Sequence, residues 1–208
     1  MTESAVRSEA AKSARREELL AIAAGLFAER GLRATTVRDI ADAAGILSGS
    51  LYHHFDSKES MVDEILSGFL DDLFAAYEQI VGGENDPQTK LDHMVRASFA
   101  AIDRSHAAVA IYQEEAKRLA EVPRFDYLAR RNQQFRDLWV AVLERGVEQG
   151  VFRPGIDVEL AYRFIRDTVW VAVRWYRPGG TRSAESVADQ YLAIVLHGIS
   201  ADPASAPR

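Results

Sequence analysis

The chain has 208 residues, 48% apolar and 27% charged, values ordinary for a soluble globular protein with one large or two small domains. It has no cysteine, which excludes a disulfide framework and a thiolate metal site. Net charge is −6, and residues 1–60 hold eight Lys/Arg against nine Asp/Glu, so bulk charge suggests no nucleic-acid partner; such a reading has to rest on local pattern.

The opening "MTESAVRSEAAKSARREE" is polar and carries no secretory apolar segment, and nowhere do 18 apolar residues run together. A cytoplasmic location and no membrane partner are the expectation. Residues 14–30 place Leu19, Ile22, Ala23, Leu26 and Phe27 on one helical face, ended by Gly31. Thr36 followed by Asp39 predicts a capping-box start for a second helix, with Val37, Ile40 and Ala44 inward and Gly45 at its close. Ser48 is placed to cap a brief third helix ending near Phe55. Ser57 opens a long fourth one, with Met61, Ile65, Leu66, Phe69, Leu73, Phe74 and Tyr77 apolar as far as Gly82-Gly83.

"GGENDPQ" reads as a linker. Helices are predicted near 87–104, 107–120, 124–149, 157–177 and 183–198, separated late in the chain by Pro123 and the "GVFRPGID" and "RPGGTRS" turns. No alternating β pattern appears, and the last residues read as a disordered tail. The expected fold is all-α. A three-helix unit (1–56) precedes a larger helical bundle (57–200) and a tail (201–208).

His53 and His54 are adjacent, so on a helix they diverge by about 100° and cannot share a metal ion. His93, His106 and His197 are isolated, and no nucleophile elbow is present, so neither a metal site, a cofactor nor a catalytic set is expected. A DNA reading explains more residues. "VRDIADAAGILSGSLYHHF" has the form of two short helices about a glycine turn, a helix-turn-helix. Leu51 and Phe55 face inward, which leaves Ser48, Gly49, Ser50, Tyr52 and His53 on the outer face. There, hydroxyl, phenol and imidazole groups suit phosphates and base edges. Lys58 is placed as a phosphate-seeking cation, and Arg7, Lys12, Arg15 and Arg16 form a possible backbone-contacting arm.

"FAERGLRATTVRDIADAAGILSGSLYHHFDSKESMVDEIL" resembles the DNA-binding region of TetR-type transcriptional regulators. The resemblance implies that Thr36, Ser48, Gly49, Tyr52, His53 and Lys58 meet double-stranded operator DNA, and that Leu51 and Phe55 pack. His54 either touches a phosphate or buttresses the helix. It also implies a homodimer, with the last two helices forming the subunit contact and the larger domain binding a small molecule. The stripe Val187, Tyr191, Ile194 and Val195, with Trp175 on the preceding helix, is the expected dimer interface; a monomeric bundle is the alternative.

In the penultimate predicted helix, Arg163, Arg166, Trp170, Arg174 and Arg177 recur at steps of three and four, on one face. Ile165, Val169, Val173 and Trp175 suggest burial around Arg166 and Arg174, and buried guanidinium groups need anions. Asp167, Glu114 or Glu115 could provide them, or the acidic groups of an effector bound by Arg166, Trp170 and Arg174. "IYQEEAKRLA", "YRFIRDTVWVAVRWYRPGG" and "QYLAIVL" are similar to a branch of the family that represses sterol-ring degradation in actinobacteria. That likeness implies a CoA-thioester effector, the bicyclic indanedione propanoate left after the first two sterol rings are removed (HIP-CoA). An acyl-CoA enzyme, or a regulator answering another lipid, antibiotic or efflux substrate, are the competing readings.

Overall fold

The computed structural model describes residues 3–199, with side chains continuous from Lys12 onward; the Arg7 side chain and the 201–208 tail lie outside the described residues. Helix α1 (Glu3–Arg30) starts well ahead of residue 14, because its first turns are rich in the strong helix formers Ala, Glu, Arg and Lys. It ends where Gly31 turns left-handed at φ 82 and its amide bonds to Phe27 O. Thr35 is buried beside that end, its hydroxyl donating to Gly31 O and Leu26 O. Helix α2 (Val37–Ala43) begins at the predicted Thr36–Asp39 capping box.

Helix α3 (Ser48–Leu51) is shorter than predicted, and its N-cap position is Leu47, not Ser48. Leucine has no side-chain acceptor, so no side chain caps this end. Beyond Leu51 the chain continues as a tightened turn. The His53 amide bonds Ser50 O, and the His54 and Phe55 amides both bond Leu51 O. Leu19, Phe27, Ile40, Leu51 and Phe55 close the core of this unit.

Helix α4 (Lys58–Gly82) starts from a Ser57–Ser60 capping box and packs against both α1 and the bundle. The bundle consists of α5 (Pro87–Arg104), α6 (His106–Leu119), α7 (Tyr127–Glu148), α8 (Val158–Trp170) and α9 (Ala184–Ile199). Asp86 caps α5. That helix lies at the centre, with Leu91, Met94, Val95, Phe99 and Ile102 buried against α4, α7, α8 and α9.

The predicted 157–177 helix stops at Trp170, and Val171–Arg174 winds on as a 3₁₀ turn. The run "TVWVAV" is dominated by β-branched residues, which weakly favour helix. Tertiary bonds then fix the end: His106 Nε2 lies 3.1 Å from Val173 O and 3.2 Å from Tyr176 O, and the Tyr176 hydroxyl donates to Asp103. No helix among the described residues is long and apolar enough to cross a membrane.

Candidate functional site

The α2–α3 unit presents the residues singled out above on its outside. Tyr52 is 56% exposed, Gly49 and His53 are exposed, and Ser48 and Ser50 are half-buried, while Leu51 and Phe55 are buried. Thr36 is exposed and already engaged: its hydroxyl and amide both bond Asp39 and hold that carboxyl below its ordinary pKa. Sequence reasoning missed Leu47, which is 80% exposed immediately before α3. Its only signal in the sequence is its place directly before Ser48. His54 is half-buried, its ring tilted against Phe55 at 6.3 Å.

The cations are tied down more than expected. Lys58 Nζ donates to Leu32 O at 2.6 Å and Thr35 O at 3.1 Å, and so closes the α1–α2 connection instead of swinging free. Arg15 bonds Glu18 and Ala44 O, and Arg16 bonds Glu64 and His54 O. Lys58→Met is expected to destabilise the DNA-free protein by about 1–3 kcal/mol, because two carbonyls lose a charged donor. Urea titration without DNA measures this, and an unchanged midpoint would show that the bonds contribute nothing.

A cavity of about 410 Å³ lies between α4, α6, α7 and α8. Its inner wall is aromatic. Phe69 and Trp170 meet edge to face at 6.2 Å, and Tyr77 meets Phe135 and Trp139 at 5.6 Å each. The polar groups at this end satisfy one another. Tyr77 shares a 2.5 Å hydrogen bond with Ser98, whose hydroxyl donates to Met94 O. Full burial pushes the Tyr77 phenol well above its ordinary pKa. The open end carries Tyr112, Gln113, Asn132, Arg166 and Asp167. Tyr112 donates to Asn132, and burial pushes its hydroxyl up to about 12.

Arg166 and Trp170 come together at this cavity, but Arg174 does not line it. The change to 3₁₀ winding after Trp170 breaks the three-four spacing and leaves Arg174 exposed elsewhere. Nor is Arg166 buried. Its side chain is 45% exposed on the rim, paired to Asp167 at 2.7 Å, with its guanidinium carbon 5.4 Å from the Tyr162 ring centroid. Of the carboxylates considered, Asp167 is therefore the partner; Glu115 pairs with Arg118, and Glu114 is exposed. Arg163 shares Glu159 with Arg136. Among the described residues, no cluster of His, Asp and Glu suits a metal ion.

The outer side of α8 and α9 is unusually apolar. Leu160 and Phe164 of α8 and Ile194 of α9 are exposed, Ile194 at 75%; Trp175, expected on the same helix as Leu160, is exposed but follows the 3₁₀ turn and lies on neither helix. Leu160, Phe164, Ile194 and Val195 line a second, open groove. Val187 and Tyr191 are half-buried, and the Tyr191 hydroxyl pairs with Thr168 at 2.8 Å while its ring meets Phe99 at 5.6 Å. Leu160 and Phe164 went unread in the sequence, although their four-residue spacing matches one face.

Residues 19–65 match the family model described as "Bacterial regulatory proteins, tetR family", and residues 84–199 match "Tetracyclin repressor-like, C-terminal domain". The chain is 67% identical over 189 residues to the HTH-type transcriptional repressor KstR2 of Rhodococcus jostii (strain RHA1), a match covering 91% of this chain and 93% of that one. It is 64% identical over 188 residues to KstR2 of Mycobacterium tuberculosis (strain ATCC 25618 / H37Rv), covering 90% and 94%. The solved structure of the ketosteroid transcriptional regulator KstR2 of Mycobacterium tuberculosis matches with a TM-score of 0.89 at 64% identity, over 90% of this chain and 96% of that one.

Proposed function

The chain belongs to the TetR family of bacterial regulatory proteins, as a transcriptional repressor with a helix-turn-helix DNA-binding unit, and we propose that it holds a palindromic operator as a homodimer until a sterol-derived CoA thioester (HIP-CoA) fills its cavity. The observation that carries this reading is the cavity itself: an aromatic chamber with a cation at its rim, walled by the helix that follows the DNA-binding unit. A volume of about 410 Å³ lies within the range of small-molecule sites and suits a fused bicyclic head. The rest of such a thioester would lie outside, past Arg166. The relative described as a ketosteroid regulator supports a steroid-derived head.

On this reading, Ser48, Gly49, Ser50, Tyr52 and His53 meet the major groove, joined by Leu47, whose side chain suits a thymine methyl. Thr36 and the remaining N–H of Lys58 face phosphate. Two copies joined along α8 and α9 set the recognition helices in a two-fold relation that a palindrome mirrors. The effector acts by binding the DNA-incompetent arrangement more tightly than the other. The protein would work in the cytoplasm.

Arg166→Met tests the effector reading. Operator binding without thioester should persist, and the thioester concentration needed for release should rise roughly 10- to 150-fold, for loss of one charge-assisted contact. Trp170→Leu should act in the same direction but more mildly, since leucine keeps apolar area and loses the aromatic face. Operator mobility shifts with HIP-CoA give the result. An Arg166→Met protein released at wild-type concentrations sinks the assignment. A wild-type protein that HIP-CoA fails to release sinks the effector class, and leaves another lipid, antibiotic or efflux substrate as the ligand.

A further inference from the structure

The guanidinium of Arg16 joins three elements at one point. From α1 it donates through Nε to Glu64 Oε1 at 3.0 Å and through Nη2 to Glu64 Oε2, a two-toothed pair with α4. Its third nitrogen donates to His54 O, and its carbon lies 4.1 Å from the Phe55 ring centroid. His54 and Phe55 end the recognition turn, their amides bonding back to Leu51 O. No further turn follows to serve the His54 carbonyl, and Arg16 supplies that donor. Both side chains of the Arg16–Glu64 pair are 38% exposed, so solvent screens it only in part.

Glu64 lies five residues before Phe69, which walls the cavity, a separation of about 7.5 Å along one helix. Helix α4 is continuous from Lys58 to Gly82. A shift of the wall formed by Phe69, Leu73 and Tyr77 therefore reaches Glu64 without crossing a loop. From Glu64, a single side chain carries it to residues 54–55.

We propose that Arg16 is a positioning residue, a strut that transmits the state of the cavity from α4 to the end of the recognition helix, and not a DNA contact. The proposal rests on the effector reading above. Its chemistry requires arginine. Only the planar fork serves two carboxylate oxygens and a carbonyl together while stacking on a ring, whereas lysine places one point charge among them.

The test compares operator dissociation constants with and without HIP-CoA, for wild type, Arg16→Met, Arg16→Lys and Glu64→Gln. Their ratio measures the coupling between the sites. Arg16→Met should shrink that ratio by about tenfold or more, within the usual range of such couplings, and Arg16→Lys by less. Glu64→Gln should resemble Arg16→Met, and the double variant should add little, as expected for partners in one contact. HIP-CoA affinity without DNA should stay at the wild-type value, because neither residue lines the cavity.

A purely structural role would lower the melting temperature and operator affinity while leaving the ratio intact, and that result overturns the proposal. So does an unchanged ratio with unchanged stability. If HIP-CoA fails to release even wild type, the effector reading fails on its own. Coupling is then read from the tryptophan emission of Trp139, Trp170 and Trp175 together as operator is added. A change in wild type that is lost in Arg16→Met supports the strut; no change in wild type, or an equal change in both, overturns it.

Discussion

Ile194→Glu is expected to split the proposed homodimer and, with it, high-affinity operator binding. Ile194 is 75% exposed on α9, beside Phe164 and Leu160 of α8, on an apolar face that a lone subunit leaves in water. In a two-fold contact each substitution occurs twice. Each charge stranded without a partner costs roughly 3–5 kcal/mol, so Ile194→Glu should weaken the dimer by more than about 10⁴-fold. Phe164→Glu should do the same from the neighbouring helix. Sedimentation at micromolar protein, with circular dichroism to confirm the monomer fold, measures the effect. A variant pair that remains dimeric would place the subunit contact elsewhere.

Gly146→Val is expected to cause the largest loss of stability in the bundle. A Cβ at Gly146 would lie 2.1 Å from Cδ2 and 2.2 Å from Cε2 of Phe152, a ring with no exposed surface. The ring cannot simply swing away, because the Val151 and Phe152 amides both bond Gly146 O and hold the chain against the helix. Overpacking of this kind costs on the order of 3 kcal/mol, which the better helix propensity of valine does not offset. In a chain of this size that lowers the melting temperature by roughly 6–12 °C. Gly146→Ala should show the same sign with a smaller shift. A valine variant that melts with wild type would mean that Phe152 does not pack on α7.

What the sequence made legible followed local rules. The Thr36–Asp39 box, the Ser57 cap and Gly31 each depend on neighbours within four residues, and the structure has all three. The inward Leu51 and Phe55 followed from helical spacing alone. Distant contacts are what escaped. The end of α8 at Trp170 depends on His106, more than sixty residues earlier in the chain. Of the three carboxylates that the sequence offered Arg166, the structure selects the adjacent Asp167, a choice that spacing alone left open. Phe69, Tyr112, Asn132 and Trp170 come from four helices, so no window of sequence shows that they share a chamber. Lys58 looked like a free cation because its acceptors are backbone oxygens, which carry no sequence signature, and Arg16 because Glu64 lies 48 residues away.

The bonds that run from Tyr77 through Ser98 to the Met94 carbonyl bear on what kind of message such a chamber can receive. With those groups spent on one another, the inner end behaves towards a guest as hydrocarbon does, rewarding bulk and shape and giving little for oxygen substituents. The inner end of such a chamber would sort guests by the size and shape of their carbon skeleton more than by its oxidation state.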